Sequence, residues 1–143
     1  MLLPDVNVLV YAHRLESPDH QRYAQWLRAV AGGAEPFALS ELGASAFVRI
    51  VTNPKIWEEP TTIEDALQFI ERLRTRTNAR LLTHGSASWE IFARLCTSAR
   101  ARGKLVADAY HAALAIEHGC ELVTADSDFA RFHGLRWRHP LAG

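Results

Sequence analysis

Apolar residues open the chain at Leu2 and Leu3 and resume at Val6, Val8, Leu9 and Val10, so that Asp5 lies inside a hydrophobic stretch with little polar around it. The opening predicts a short strand over residues 2–5; Pro4 cannot donate to a ladder and either weakens a central strand or marks its end. A short helix follows over residues 6–13. Ser17-Pro18-Asp19 reads as a helix start, with serine as the cap and proline at the first helical position. Tyr23, Trp26, Leu27 and Val30 recur at helical spacing until Gly32-Gly33. Residues 36–39 are a second strand. Ser40 can cap a helix that opens at Glu41, carries Leu42, Ala46, Phe47 and Ile50, and ends at Thr52-Asn53-Pro54. Thr61 and Glu64 have capping-box spacing ahead of a stripe formed by Ile63, Leu67, Ile70 and Leu73. A third strand is expected over residues 80–83. A helix capped by Ser86 or Ser88 should run to about Arg102, and a further helix should cover residues 105–118. A fourth strand lies over residues 120–124, a short helix follows Asp126, and residues 135–138 complete the set.

Strands separated by helical stretches imply crossover connections. The pattern therefore predicts an α/β fold with a mainly parallel sheet of about five short strands, covered on both faces. The 143 residues hold no repeat, low-complexity segment or linker, and one domain over residues 1–143 is expected. Lys plus Arg and Asp plus Glu both number 16, so the net charge is zero. A protein that binds nucleic acid through its overall charge is basic, so contact with nucleic acid would here depend on local clusters such as Arg72, Arg74, Arg76 and Arg80. Cys96 and Cys120 form no zinc pattern and are expected to be reduced, with a disulfide between them the open alternative. No stretch has the apolar length of a membrane span or the make-up of a secretory signal, and a cytoplasmic location is expected.

Asp5 changes the picture most. A buried, uncompensated carboxylate is costly, which leaves a cation, a metal or a hydrogen-bonding role to explain it. In parallel sheets ligands bind beyond the carboxyl ends of the strands, and Asp5, Glu41 and Asp126 all follow strands. Asp108 is the fourth acid. It lies on or beside the apolar face made by Leu105, Ala109, Ala112 and Ile116, where it either pairs with Lys104 one turn earlier or points into a polar pocket. Each acid also has a plainer role: Glu41 in a first helical turn, Asp126 and Asp128 as turn or cap residues. Four or five carboxylates in one pocket repel one another, and a hard divalent cation such as Mg²⁺ or Mn²⁺ would relieve this. There is no Cys or His cluster for zinc and no Gly-rich nucleotide cradle.

The segments Asp5-Val6-Asn7-Val8-Leu9-Val10-Tyr11-Ala12, Ser40-Glu41-Leu42, Asp108-Ala109 with its alanine-rich helix, and Thr124-Ala125-Asp126-Ser127-Asp128-Phe129 occur in this order along nearly the whole chain. Together they resemble a PIN-domain ribonuclease, and within that family a VapC-type toxin of a bacterial toxin–antitoxin pair. The resemblance implies a compact three-layer α/β/α sandwich and Mg²⁺- or Mn²⁺-dependent hydrolysis of RNA phosphodiesters. It further implies inhibition by a cognate antitoxin, and a homodimer that enters a larger assembly with that antitoxin. Asp5, Glu41, Asp108 and Asp126 match the family's acidic quartet, Asp128 an additional acid. Asn7, Ser40 and Thr124 would orient carboxylates or water. Such hydrolysis needs no histidine, although His13 and His111 lie near the motif residues. The four tryptophans are expected to serve core or protein-interface packing, with Trp57, on a loop, the best placed exception to stack on a base, and the helices up to that point could offer an antitoxin peptide an apolar groove.

Three other readings compete. A phosphatase of the haloacid dehalogenase type needs a second aspartate two residues after the first, where this chain has Asn7. A PIN-like module that binds RNA or protein without cutting is disfavoured by the presence of all the acids. A PIN nuclease of RNA processing, without an antitoxin, is distinguished by its gene neighbourhood.

Overall fold

The computed structural model describes residues 1–142. Five strands, β1 (Leu2–Pro4), β2 (Phe37–Ser40), β3 (Ala79–Leu82), β4 (Glu121–Val123) and β5 (Trp137–Arg138), form one sheet in the order β3-β2-β1-β4-β5. Every neighbouring pair is parallel. The chain steps outward from β1 to β2 and β3, then crosses back to β4 and β5. The direction of winding therefore reverses between β1 and β4, at the centre of the sheet. A crevice opens at such a switch point. Pro4 closes the central strand opposite Val123, and the ladder continues through the amide of Asp5, which donates to the Val123 carbonyl at 2.8 Å. Proline is thus tolerated because it stands at the strand's last position.

Six helices cover the sheet: α1 (Val6–His13), α2 (His20–Gly32), α3 (Glu41–Val51), α4 (Ile63–Arg74), α5 (Ser88–Ala99) and α6 (Lys104–Glu117); a 3₁₀ turn spans Ser127–Arg131. Successive side chains of β2 serve opposite faces, as the pleat requires. Phe37 and Leu39 join the core beneath α1–α4, which includes Leu9, Leu27, Phe47, Val51 and Ile70. Ala38 joins the second core, with Leu3, Leu95, Leu114, Leu122, Phe129 and Phe132, beneath α5 and α6. The result is the three-layer α/β/α arrangement around a parallel sheet. On α6, Ala109, Ala112, Ala113 and Ala115 are fully buried, and such small residues let the helix lie close to the strands.

Several helix starts differ from expectation. Asp19, in a left-handed conformation, precedes α2. Ser17 is buried in the turn before it, its hydroxyl without a protein partner. Thr62, rather than Thr61, caps α4 by accepting from the Asp65 amide at 3.2 Å; Thr61 instead meets His13 and Arg14. Ile63 and Leu67 are exposed, and Ala66, Phe69, Ile70 and Leu73 make the inner face. Neither serine caps α5. The Glu117 carboxylate, from the end of α6, accepts from the amides of Gly85 at 2.7 Å and Ala87 at 3.2 Å. A Cβ at Gly85 would lie only 2.5 Å from that carboxylate, so a side chain there would have to displace Glu117 from its present position. Helix α5 stops at Ala99, with Arg100 left-handed after it. Cys96 and Cys120 are free thiols, and among the described residues no helix is long and apolar enough to cross a membrane.

Candidate functional site

Asp5 sits where β1 hands over to α1 and serves as that helix's cap: its Oδ1 accepts from the Val6 amide at 2.7 Å. Its Oδ2 accepts from the Thr124 hydroxyl, also at 2.7 Å, across the switch point from β4. Thr124 is wholly buried and organises the floor of the site. Its Oγ1 accepts from Asn7 Nδ2 at 3.2 Å and from the Asp126 amide at 3.0 Å, while Asn7 Oδ1 accepts from the Ala125 amide at 3.3 Å. Asp126 in turn caps the 3₁₀ turn, accepting from the Asp128 amide at 2.9 Å. Ser40, the third predicted supporting residue, caps α3 through the Gly43 amide at 2.8 Å.

A cleft of about 680 Å³ opens above this floor. Asp5, Asn7, Asp108 and Asp126 line it together with Lys104, His111, Arg49, Tyr11 and Trp57. Three acids from three separate segments thus share one cavity. Glu41 is exposed in an adjoining depression with Thr83, His84 and Tyr110. Tyr110 and His111 are consecutive on α6, so that helix borders both hollows. Asp128 is exposed on the 3₁₀ turn, with its backbone engaged by Asp126.

The electrostatics follow from burial and neighbours. Burial pushes the Asp5 carboxyl above its ordinary value, against the lowering effect of Thr124 and of the nearby His111. Burial also holds His111 below the usual imidazole value, with Asp5 and Asp108 pulling the other way. For Asp126 burial pushes upward, but the Asp128 amide and the Lys104 ammonium outweigh it and leave the carboxyl below its ordinary value. Lys104 Nζ donates to Asp108 Oδ2 at 2.9 Å and to Asp126 Oδ2 at 3.1 Å. Asp108 therefore pairs with Lys104 and also lines the cleft with Asp5 and Asp126.

Among the described residues, no three His, Cys, Asp or Glu side chains stand close enough together to enclose a metal ion. The donor set nevertheless suits a hard divalent cation, because its members are carboxylate oxygens and such cations retain waters in place of further protein ligands. A positive charge already bridges Asp108 and Asp126, in the form of Lys104. In the sequence Lys104 stands as a helical pair of Asp108 and in a basic cluster with Arg94, Arg100 and Arg102, and nothing there singles out Arg49. Lys104's second partner lies 22 residues away, and Arg49 reaches the cleft only because α3 packs against α1. Trp57 does line the cleft, but its indole N–H is held by the Ile50 carbonyl at 2.9 Å and the Arg14 guanidinium lies 4.3 Å from the ring.

The PIN domain family matches residues 2–135. Ribonuclease VapC43 of Mycobacterium tuberculosis is 42% identical over 143 residues, spanning all of this chain and 97% of the relative. Ribonuclease VapC25 of the same organism is 36% identical over 140 residues, covering 98% of this chain and 99% of the relative. Among solved structures, VapBC2 from Rickettsia felis, bound to a DNA fragment from its promoter, superposes with a TM-score of 0.72 at 19% identity, covering 96% of this chain and 97% of the other. At that identity the likeness concerns the fold. Family match, full-length relatives and fold agree, and the chain belongs to the PIN-domain family, among the VapC ribonucleases.

Proposed function

We propose that this chain is a metal-dependent endoribonuclease and the toxic component of a type II toxin–antitoxin pair. The observation that carries the reading is the convergence of Asp5, Asp108 and Asp126 on one cleft at the switch point, in a chain related over its full length to VapC ribonucleases. Asp5, Asp108 and Asp126 would hold Mg²⁺ or Mn²⁺, with Glu41 and Asp128 flanking. Bound there, the cation would supply charge neutralisation at a phosphodiester and a more acidic water. Thr124 and the Val6 amide fix both oxygens of Asp5, so that this ligand is oriented before any cation arrives. Asn7 ties the start of α1 to the Ala125 amide and keeps the two strand ends in register. Arg49 stands on the cleft wall where a flanking phosphate would need a cation, since an acidic pocket alone repels RNA.

A second groove, of about 900 Å³, runs between α2 and α4. Its floor includes Leu27, Ala31, Phe69 and Leu73, and Arg28, Arg72 and Arg76 border it. Apolar walls with a basic rim suit an amphipathic, acidic segment of a cognate antitoxin. The test is expression in a bacterial host. The wild-type chain is expected to arrest growth, Asp108→Asn to permit it, and co-expression of the adjacent upstream reading frame to restore growth and to co-purify. Arrest by Asp108→Asn would overturn the nuclease reading, and failure of the neighbour to bind would overturn the antitoxin reading.

A further inference from the structure

We propose that Lys104 is a built-in counter-ion, which holds Asp108 and Asp126 together in the metal-free protein and has to leave before a divalent cation can take its place. This rests on the metal-dependent reading above and extends it to the residue that competes with the metal. The geometry is direct. One ammonium lies 2.9 Å from a carboxylate oxygen on α6 and 3.1 Å from another on the turn after β4. Those two acids are largely withdrawn from water, at 14% and 25% side-chain exposure, whereas the lysine is 73% exposed. The carboxylates therefore lie within the protein, while the lysine stands largely in solvent on a flexible stem.

Local helix chemistry does not account for a lysine here. Lys104 is the first residue of α6, the end of a helix that disfavours positive charge. A lysine one turn before an acid is also the poorer orientation of an i,i+4 pair. The unfavourable placement is explained by the second partner, Asp126, which only the fold supplies. A divalent cation drawn to the same two oxygens would meet the ammonium at close range, so both cannot stay. Loading would swing Lys104 outward on its flexible stem toward solvent, where most of its side chain already lies.

Manganese binding to the purified protein without RNA tests this, read as free Mn²⁺ by electron paramagnetic resonance. Lys104→Gln is expected to bind Mn²⁺ about tenfold more tightly than wild type. Arg102→Gln, which removes an exposed positive charge two residues earlier that makes no ion pair among the described residues, is expected to leave affinity unchanged. The metal-free Lys104→Gln protein should also melt below wild type and gain more than wild type on Mn²⁺ addition. Equal affinity of Lys104→Gln and wild type would overturn the inference while leaving the metal reading intact. An equal gain in Arg102→Gln would reduce the effect to general surface charge and overturn it too. No Mn²⁺ binding by wild type or variants would overturn the metal reading, and this inference with it.

Discussion

Thr124 has no charge and no reach beyond the protein interior, yet three groups of the site depend on its hydroxyl. Replacing it with the isosteric valine would leave the Asp5 carboxylate short of a donor in a buried setting. Thr124→Val is expected to destabilise the protein by about 1–3 kcal/mol in urea unfolding. It should also lower RNA cleavage by about 10- to 100-fold, as loss of groups that orient metal ligands does. A variant with wild-type cleavage would show that Asp5 needs no such orientation. His13 offers a separate test by pH. Its ring packs against Phe47 and Phe69, and burial, aided by the Arg14 charge, holds it below the ordinary imidazole value of 6.5. The folded protein thus prefers neutral His13, while the unfolded chain takes up a proton near 6.5. This stabilisation is fully present above that value and is lost as the pH falls through the folded value. His13→Phe is expected to flatten the fall in melting temperature between about pH 7 and about pH 5.

At the scale of elements, α6 decides where Asp108 points. Its inner face is alanine at four fully buried positions, so a larger side chain there must push the helix off the sheet. Ala113→Leu is expected to cost about 1–3 kcal/mol by overpacking, and to reduce cleavage more than the remaining folded fraction explains. Cleavage that merely tracks the folded fraction would mean that the position of α6 does not set the chemistry. This scale also separates what the sequence discloses from what it hides. Ser40, Asp5 and Gly119 act on their own neighbours, so the starts of α1 and α3 and the end of α6 could be read from local chemistry. The start of α5 could not, because the turn before it is held by the Glu117 carboxylate, 30 residues away from Ala87. The stripe of α4 departs from expectation at the exposed Ile63 and Leu67, since periodicity finds a helix's apolar positions but not which of them the sheet covers. Lys104 was legible as one half of a helical pair and illegible as a bridge, because Asp126 joins it only through the fold.

For the whole molecule, the governing fact is the reversal of winding between β1 and β4. It places the ends of two central strands side by side, each followed by an acid, and lets α6 bring in a third. The predicted acids Asp5, Asp108 and Asp126 meet for that reason, while Glu41, after β2, faces the adjoining hollow. A neutral net charge leaves RNA binding to the cleft's own cations rather than to the overall field. We propose that the three-acid cleft cuts RNA with the help of a divalent cation. The most direct test of this is cleavage of RNA by the purified protein with Mn²⁺, after chelation by EDTA, and after Mn²⁺ is restored in excess, alongside Asp5→Asn. Cleavage is expected with the metal, with 5′-phosphate and 3′-hydroxyl ends, to vanish on chelation, to return on restoration, and to be absent in the variant. Cleavage that persists in EDTA, or an Asp5→Asn protein that cuts as fast as wild type, would contradict it.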